Sequence, residues 1–178
     1  FGNSAKAMAL RAKGFGLRVI ATRRNQEAGR ADAEALGVEF ADLETVLTES
    51  DYVSLHLPLS GDTYHMFDYA MLHKMKPGAL LINTSRGALV DETALVTALR
   101  AGHLGGAGLD TFEGIDIFGG VEGPPQHPLL QLDNVVLTPH VAAGSAQAMQ
   151  DVARGAVENV VAILCGHWPL PANRVNPT

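Results

Sequence analysis

Phe1-Gly2-Asn3-Ser4-Ala5 opens directly into a helical pattern. A glycine at this point lets backbone approach a pyrophosphate, and Ala5 allows the helix to pack closely on a strand. The helix N-terminus itself offers unpaired N–H groups to phosphate. These residues read as a dinucleotide-binding GxGxxG/A turn that lacks its first glycine. About twenty positions on, NAD-binding folds place an acid against the ribose hydroxyls. Here the apolar run RVIAT at 18–22 ends instead in Arg23-Arg24. A guanidinium fork suits a 2′-phosphate, so the expected cofactor is NAD(P), with NADP favoured. An ordinary helix start and two solvated arginines are the alternative readings of the same residues.

The elements that must position such a site alternate along the chain. Helical patterns are expected at 4–13, around 26–36 with Gly37 as a left-handed C-cap, at 41–49, at 69–75, from Asp91 as N-cap to Arg100, and from about Ser145 to Cys165. Between them lie apolar runs at 18–22, 38–40, 52–57 (stopped by Pro58), 79–84, 105–112 and 134–140. The run ALLINT at 79–84 is continuously apolar, as a strand covered on both faces should be. Strand–helix alternation of this kind predicts an α/β fold with a doubly wound parallel sheet. The stretch EGIDIFGGVEGPPQHP at 113–128 is long for a connection and rich in Gly and Pro.

With 178 residues, 47% hydrophobic and 18% charged, the chain can bury a core. Its net charge of −6, without blocks of like charge, argues against a nucleic-acid partner or an anionic lipid surface. No apolar run reaches the ~18 residues of a membrane span. The one cysteine, Cys165, leaves no internal disulfide framework and fits a reducing, cytoplasmic compartment. No metal site is expected.

Three segments, LHLPLSGDT (55–63), MKPGALLINTSRGALVDETALVTAL with GGAGLDTFE (75–113) and HPLLQLDNVVLTPHVAAGS (127–145), resemble the D-isomer-specific 2-hydroxyacid dehydrogenases. The resemblance covers essentially the whole chain. It implies a Rossmann-like NAD(P)-binding domain over 1–166. It also implies a C-terminal segment, 167–178, that returns to a substrate domain lying before Phe1 together with the first strand. The family's catalytic Arg maps to Arg86 in NTSRG and its His to His140 in TPH. Arg86 would grip the carboxylate and polarise the ketone of a 2-oxo acid, and His140 would donate and recover the proton. Both close apolar runs, where doubly wound folds bind ligands.

The resemblance further implies cofactor contacts at Gly2, Asn3, Ser4, Pro58, Thr63, Thr84, Ser85, Arg86, Asp110, His140, Ala142 and Ala143, with His56 bordering the cofactor. His65, His73, His103 and His167 read as satisfied polar residues. The family's third catalytic group is a Glu that pairs with the His, but the matching position here is Ile115. Glu122 is favoured for that role, with Glu113 or Asp116 as alternatives. The implied activity is hydride transfer between NAD(P)H and a small 2-oxo or D-2-hydroxy acid, in a homodimer. Two alternatives share these motifs: a dimeric NAD-binding corepressor scaffold, and a relative of formate or phosphite dehydrogenases.

Overall fold

The computed structural model describes residues 1–113 and 127–168. The chain divides into two compact units, Phe1–His140 and Val141–Thr178. The first unit runs α1 (Asn3–Gly14), β1 (Ile20–Ala21), α2 (Arg30–Leu36), β2 (Glu39–Phe40), α3 (Leu43–Glu49), β3 (Tyr52–Leu55), α4 (Tyr69–Lys74), β4 (Leu80–Asn83), α5 (Glu92–Arg100), β5 (Gly106–Leu109) and β6 (Val135–Leu137). Each strand pair is parallel. β1 joins β2, and β3-β4-β5-β6 form a second, four-stranded ladder in sequence order. Parallel neighbours need crossovers, and α4 and α5 supply them between β3, β4 and β5.

Local chemistry sets the boundaries. Asp42, Asp68 and Asp91 each stand in extended backbone and accept N–H bonds from the first turn of α3, α4 and α5. Gly37 closes α2 at φ 60, a left-handed position where glycine carries no penalty. Several elements are shorter than the sequence pattern predicts, although α1 extends one residue past it at each end. The run at 18–22 pairs only over Ile20–Ala21. The stretch expected to be helical from 26 begins as a 3-10 turn, Glu27–Gly29. Gly29 lies tight against Arg23 and Phe40, so the chain must pass there before the helix can start. Two further 3-10 turns, Gly87–Leu89 and Pro128–Gln131, carry no clear periodicity and are read only from the structure.

The main core wraps the four-stranded ladder. Leu55, Leu81 and Leu109 on its strands meet Leu72 from α4, Met75 just after it, and Leu95 and Leu99 from α5. A fully buried side chain of this kind contributes about 1.5–3 kcal/mol. This packing holds the strand ends that carry the site. A smaller cluster of Ala9, Ala33 and Val38 joins α1, α2 and β2.

The second unit contains α6 (Ala146–Leu164), capped by Ser145, whose Oγ accepts from the Ala148 N–H at 3.1 Å. None of its side chains is buried, and Met149, Val152, Val157, Val160 and Ile163 are exposed. The first compact unit closes at His140, and α6 lies in the second. Apart from His167 and Trp168, the segment 167–178 lies outside the described residues.

Candidate active site

Leu55, Asn83, Leu109 and Leu137 stand in one row across β3, β4, β5 and β6. Arg86, Phe112 and His140 each lie three positions beyond that row at the carboxyl edge. Strands sit about 4.8 Å apart, so two ladder steps separate β4 from β6 by roughly 10 Å. β5 fills that distance within the sheet, so Arg86 and His140 follow strands two places apart at the same edge.

The turn after β4 is built around a buried amide. Asn83, 1% exposed, donates from Nδ2 to the Arg86 carbonyl at 2.8 Å and accepts the Ser85 N–H on Oδ1 at 3.0 Å. Ser85 Oγ donates to the Leu55 carbonyl at 2.7 Å and so ties the turn back to β3. Arg86 emerges exposed, with Nη1 donating to the Ser85 carbonyl at 2.6 Å. Across the ladder, Thr138 Oγ1 donates to Asp110 Oδ1 at 2.5 Å, while the Asp110 N–H reaches the Asn83 carbonyl at 3.0 Å. His140 follows at φ 56, with its N–H on the Thr138 carbonyl at 3.0 Å. Positive φ is uncommon for a residue with a Cβ, although His is among the types enriched there.

An open cleft of about 460 Å³ lies beside this edge. Gly2, Asn3, Ser4 and Ala5 form one wall, His56 to Leu59 another, and Thr84, Ser85 and Arg86 the third. The start of α1 fits an anionic group. Gly2 is its N-cap, no side chain caps the first turn, and that turn has no acid. A Cβ on Gly2 would meet nothing within 4 Å, so the protein itself leaves that space open. His56 Nε2 lies 3.0 Å from Ser54 Oγ. Burial pushes the His56 imidazole down from its ordinary value, which leaves it neutral at pH 7.

The structure gives other expected site residues these partners. Thr63 is buried, and its hydroxyl donates to the Pro58 carbonyl at 2.8 Å and accepts the Ser60 N–H at 2.8 Å. Its bonds shape the loop that carries Pro58. The Arg23 guanidinium lies against Gly29, whereas Arg24 is exposed and pairs with Asp62 at 3.4 Å. Val141, Ala142 and Ala143 belong to the second unit, where the Gly144 N–H closes a turn on the Val141 carbonyl at 2.8 Å. Glu113 accepts from Tyr64 Oη at 2.9 Å and meets His65 Nε2 at 2.6 Å. Asp116 and Glu122 lie outside the described residues. Asn83, Thr138, Glu92 and His127 were not legible in the sequence: Thr138, Glu92 and His127 have partners distant in the chain, whereas Asn83 bonds within its own turn.

Residues 1–142 match the model of the D-isomer-specific 2-hydroxyacid dehydrogenase NAD-binding domain. The chain belongs to that family. This dehydrogenase domain is 46% identical to a glyoxylate reductase of Korarchaeum cryptofilum over 98% of the chain and 50% of that protein. It is 43% identical to a glyoxylate reductase of Thermococcus litoralis over 99% of the chain and 50% of that protein. Among solved structures, the NAD-complexed D-isomer-specific 2-hydroxyacid dehydrogenase of Lactobacillus delbrueckii superposes with a TM-score of 0.83 at 34% identity. That match covers 94% of the chain and 52% of the other. The chain thus spans about half the length of the curated relatives it matches.

Proposed function

We propose that the full-length protein is an NADPH-preferring reductase of small 2-oxo acids, with glyoxylate as a substrate. The observation that carries the reading is the common row from which Arg86 and His140 both project, beside a cleft walled by an uncapped helix start. A 2-oxo acid presents a carboxylate and a ketone. Arg86 pairs with the carboxylate and polarises the ketone oxygen, and a guanidinium remains charged at any working pH. A nicotinamide held beside these residues would supply the hydride for the ketone carbon. His140 passes a proton to the ketone oxygen, giving the D-2-hydroxy acid, and takes it back in the reverse direction. The α1 N-terminus and Gly2 receive the pyrophosphate, with Asn3 and Ser4 beside it. Thr84, Ser85 and Asp110 would flank the nicotinamide. Arg24, with Arg23 behind it, takes the 2′-phosphate. Glu122 is the carboxylate assigned to His140.

Steady-state oxidation of NADPH and of NADH by the full-length protein, with glyoxylate and hydroxypyruvate, tests the reading. Turnover that disappears in Arg86→Ala supports it, and absence of turnover with every 2-oxo acid tried overturns it. The reading includes a cytoplasmic homodimer acting without nucleic acid or membrane, and light scattering on the full-length protein checks the dimer.

A further inference from the structure

Glu92 opens α5, just behind its Asp91 cap, and its side chain is only 12% exposed. Each carboxylate oxygen has a distant partner. Oε1 accepts the Glu113 backbone N–H at 2.8 Å. Oε2 meets His127 Nε2 at 2.8 Å. His127 Nδ1 in turn accepts the Leu129 N–H at 3.3 Å. A ring nitrogen that accepts carries no proton, so Nε2 carries it and donates to Glu92. One largely covered carboxylate therefore holds the chain both after it leaves β5 and where it returns at His127.

The held peptide matters because of what lies behind it. A Cβ on Gly87 would collide with the carbonyl of Phe112 and the nitrogen of Glu113. The Phe112–Glu113 peptide is thus packed directly on Gly87, the residue after Arg86. The same turn is gripped from its other side. The His65 N–H donates to the Ala88 carbonyl at 2.8 Å, and the His65 ring meets the Glu113 carboxylate at 2.6 Å. Tyr64 stacks on His65 and donates to the same carboxylate, and that bond raises its phenol above the ordinary value.

We infer that Glu92, through its bonds to Glu113 N–H and His127, is a positioning residue for Arg86: it presses the Phe112–Glu113 peptide onto Gly87 and so fixes the turn that presents the guanidinium. This rests on the reductase reading above. A small displacement of an oriented group lowers rate steeply, to about 10²-fold for 1 Å. Glu92→Gln keeps one acceptor but turns an amide donor toward another donor, either the Glu113 N–H or His127 Nε2. His127→Gln keeps a donor where Nε2 stood. His127→Asn keeps the acceptor for Leu129 but loses the reach to Glu92.

The test uses the full-length protein. Expected is a fall on the order of tenfold to a hundredfold in kcat/KM for glyoxylate with Glu92→Gln and with His127→Asn. His127→Gln stays within about threefold of the parent, and the Kd for NADPH moves less than about twofold in all three. The Glu92→Gln/His127→Asn double variant should be no slower than the worse single one, as one shared contact requires. Hydrogen–deuterium exchange over Gly87–Leu89 and at the Glu113 amide should rise in Glu92→Gln, and this readout needs no turnover. If the parent reduces no 2-oxo acid but exchange still rises in this way, the reductase reading fails and the tie stands. Unchanged kcat/KM in Glu92→Gln, equal kinetics in His127→Gln and His127→Asn, or unchanged exchange at Gly87–Leu89 would each overturn the inference.

Discussion

Thr138 Oγ1 donates to Asp110 Oδ1 at 2.5 Å, and this bond ties the end of β5 to the end of β6 two positions before His140. Asp110 is 2% exposed, so a lost donor is not replaced by bulk water. Removing a hydrogen bond to such a group costs about 1–3 kcal/mol. Thr138→Val, nearly the same volume, should lower stability by that order in chemical denaturation and lower kcat through His140. Thr138→Ser should recover most of both. Equal midpoints for the Val and Ser variants would show that the bond contributes nothing.

Such ties explain which parts of the molecule could be read from the sequence. Asp91 as a helix cap, Gly37 as a left-handed stop and the apolar run into Asn83 are local signals, and each stands where the pattern placed it. Arg86 and His140 were legible because short motifs fix both at strand ends. Asn83, Glu92 and His127 were not. A buried Asn that binds three residues on looks like any polar turn residue, and a Glu that binds 21 and 35 residues away looks like any surface acid until the fold brings its partners together. Glu113 shows the converse. It was a candidate partner for His140, but its carboxylate is engaged by Tyr64 and His65.

His56 gives the fold a pH dependence whose sign follows from burial. Its imidazole binds a proton less readily in the folded protein than in the unfolded chain. Stability is then full above the unfolded value of about 6.5 and declines as pH falls below it. The melting temperature of the parent should drop between pH 7.5 and pH 5.0. His56→Gln, which can still reach Ser54, should lessen that drop. A drop of equal size in the variant would assign it to other groups.

In the proposed reading, cofactor choice turns on Arg24 and its exposed partner, Asp62. The Arg24–Asp62 pair is open to solvent, and pairs of this kind contribute little and are screened by salt. A 2′-phosphate offers Arg24 a stronger, charge-assisted partner. Arg24→Ala should raise KM for NADPH on the order of tenfold and leave NADH nearly unchanged. Asp62→Asn, which frees the guanidinium, should tighten NADPH about twofold to fivefold. Equal kcat/KM for the two cofactors in the parent would refute the NADPH preference.

His140 is the sharpest test, because proton transfer has a sign in each direction. If His140 carries the proton, as proposed, reduction needs its imidazole charged and oxidation needs it neutral. The reduction rate should therefore fall, and the oxidation rate climb, over one common pH range. A carboxylate paired with an imidazole keeps it protonated to higher pH, so removing the true partner moves both profiles to lower pH. Glu113 is already bonded to Tyr64 and His65, so Glu113→Gln should leave the midpoint in place. Glu122→Gln should move it, and Asp116→Asn should not. For the inactive control, His140→Asn is a better choice than Ala. Position 140 holds φ 56, and Asn adopts that left-handed conformation at low cost. A general acid contributes about 10²–10⁴-fold, so His140→Asn should lose rate of that order while NADPH still binds. The measurement is a pH–rate series in both directions, with a substrate deuterium isotope effect establishing that chemistry limits the rate. A midpoint that shifts with Asp116→Asn and not with Glu122→Gln would transfer the role to Asp116. Full activity in His140→Asn would remove the histidine from the proton path altogether.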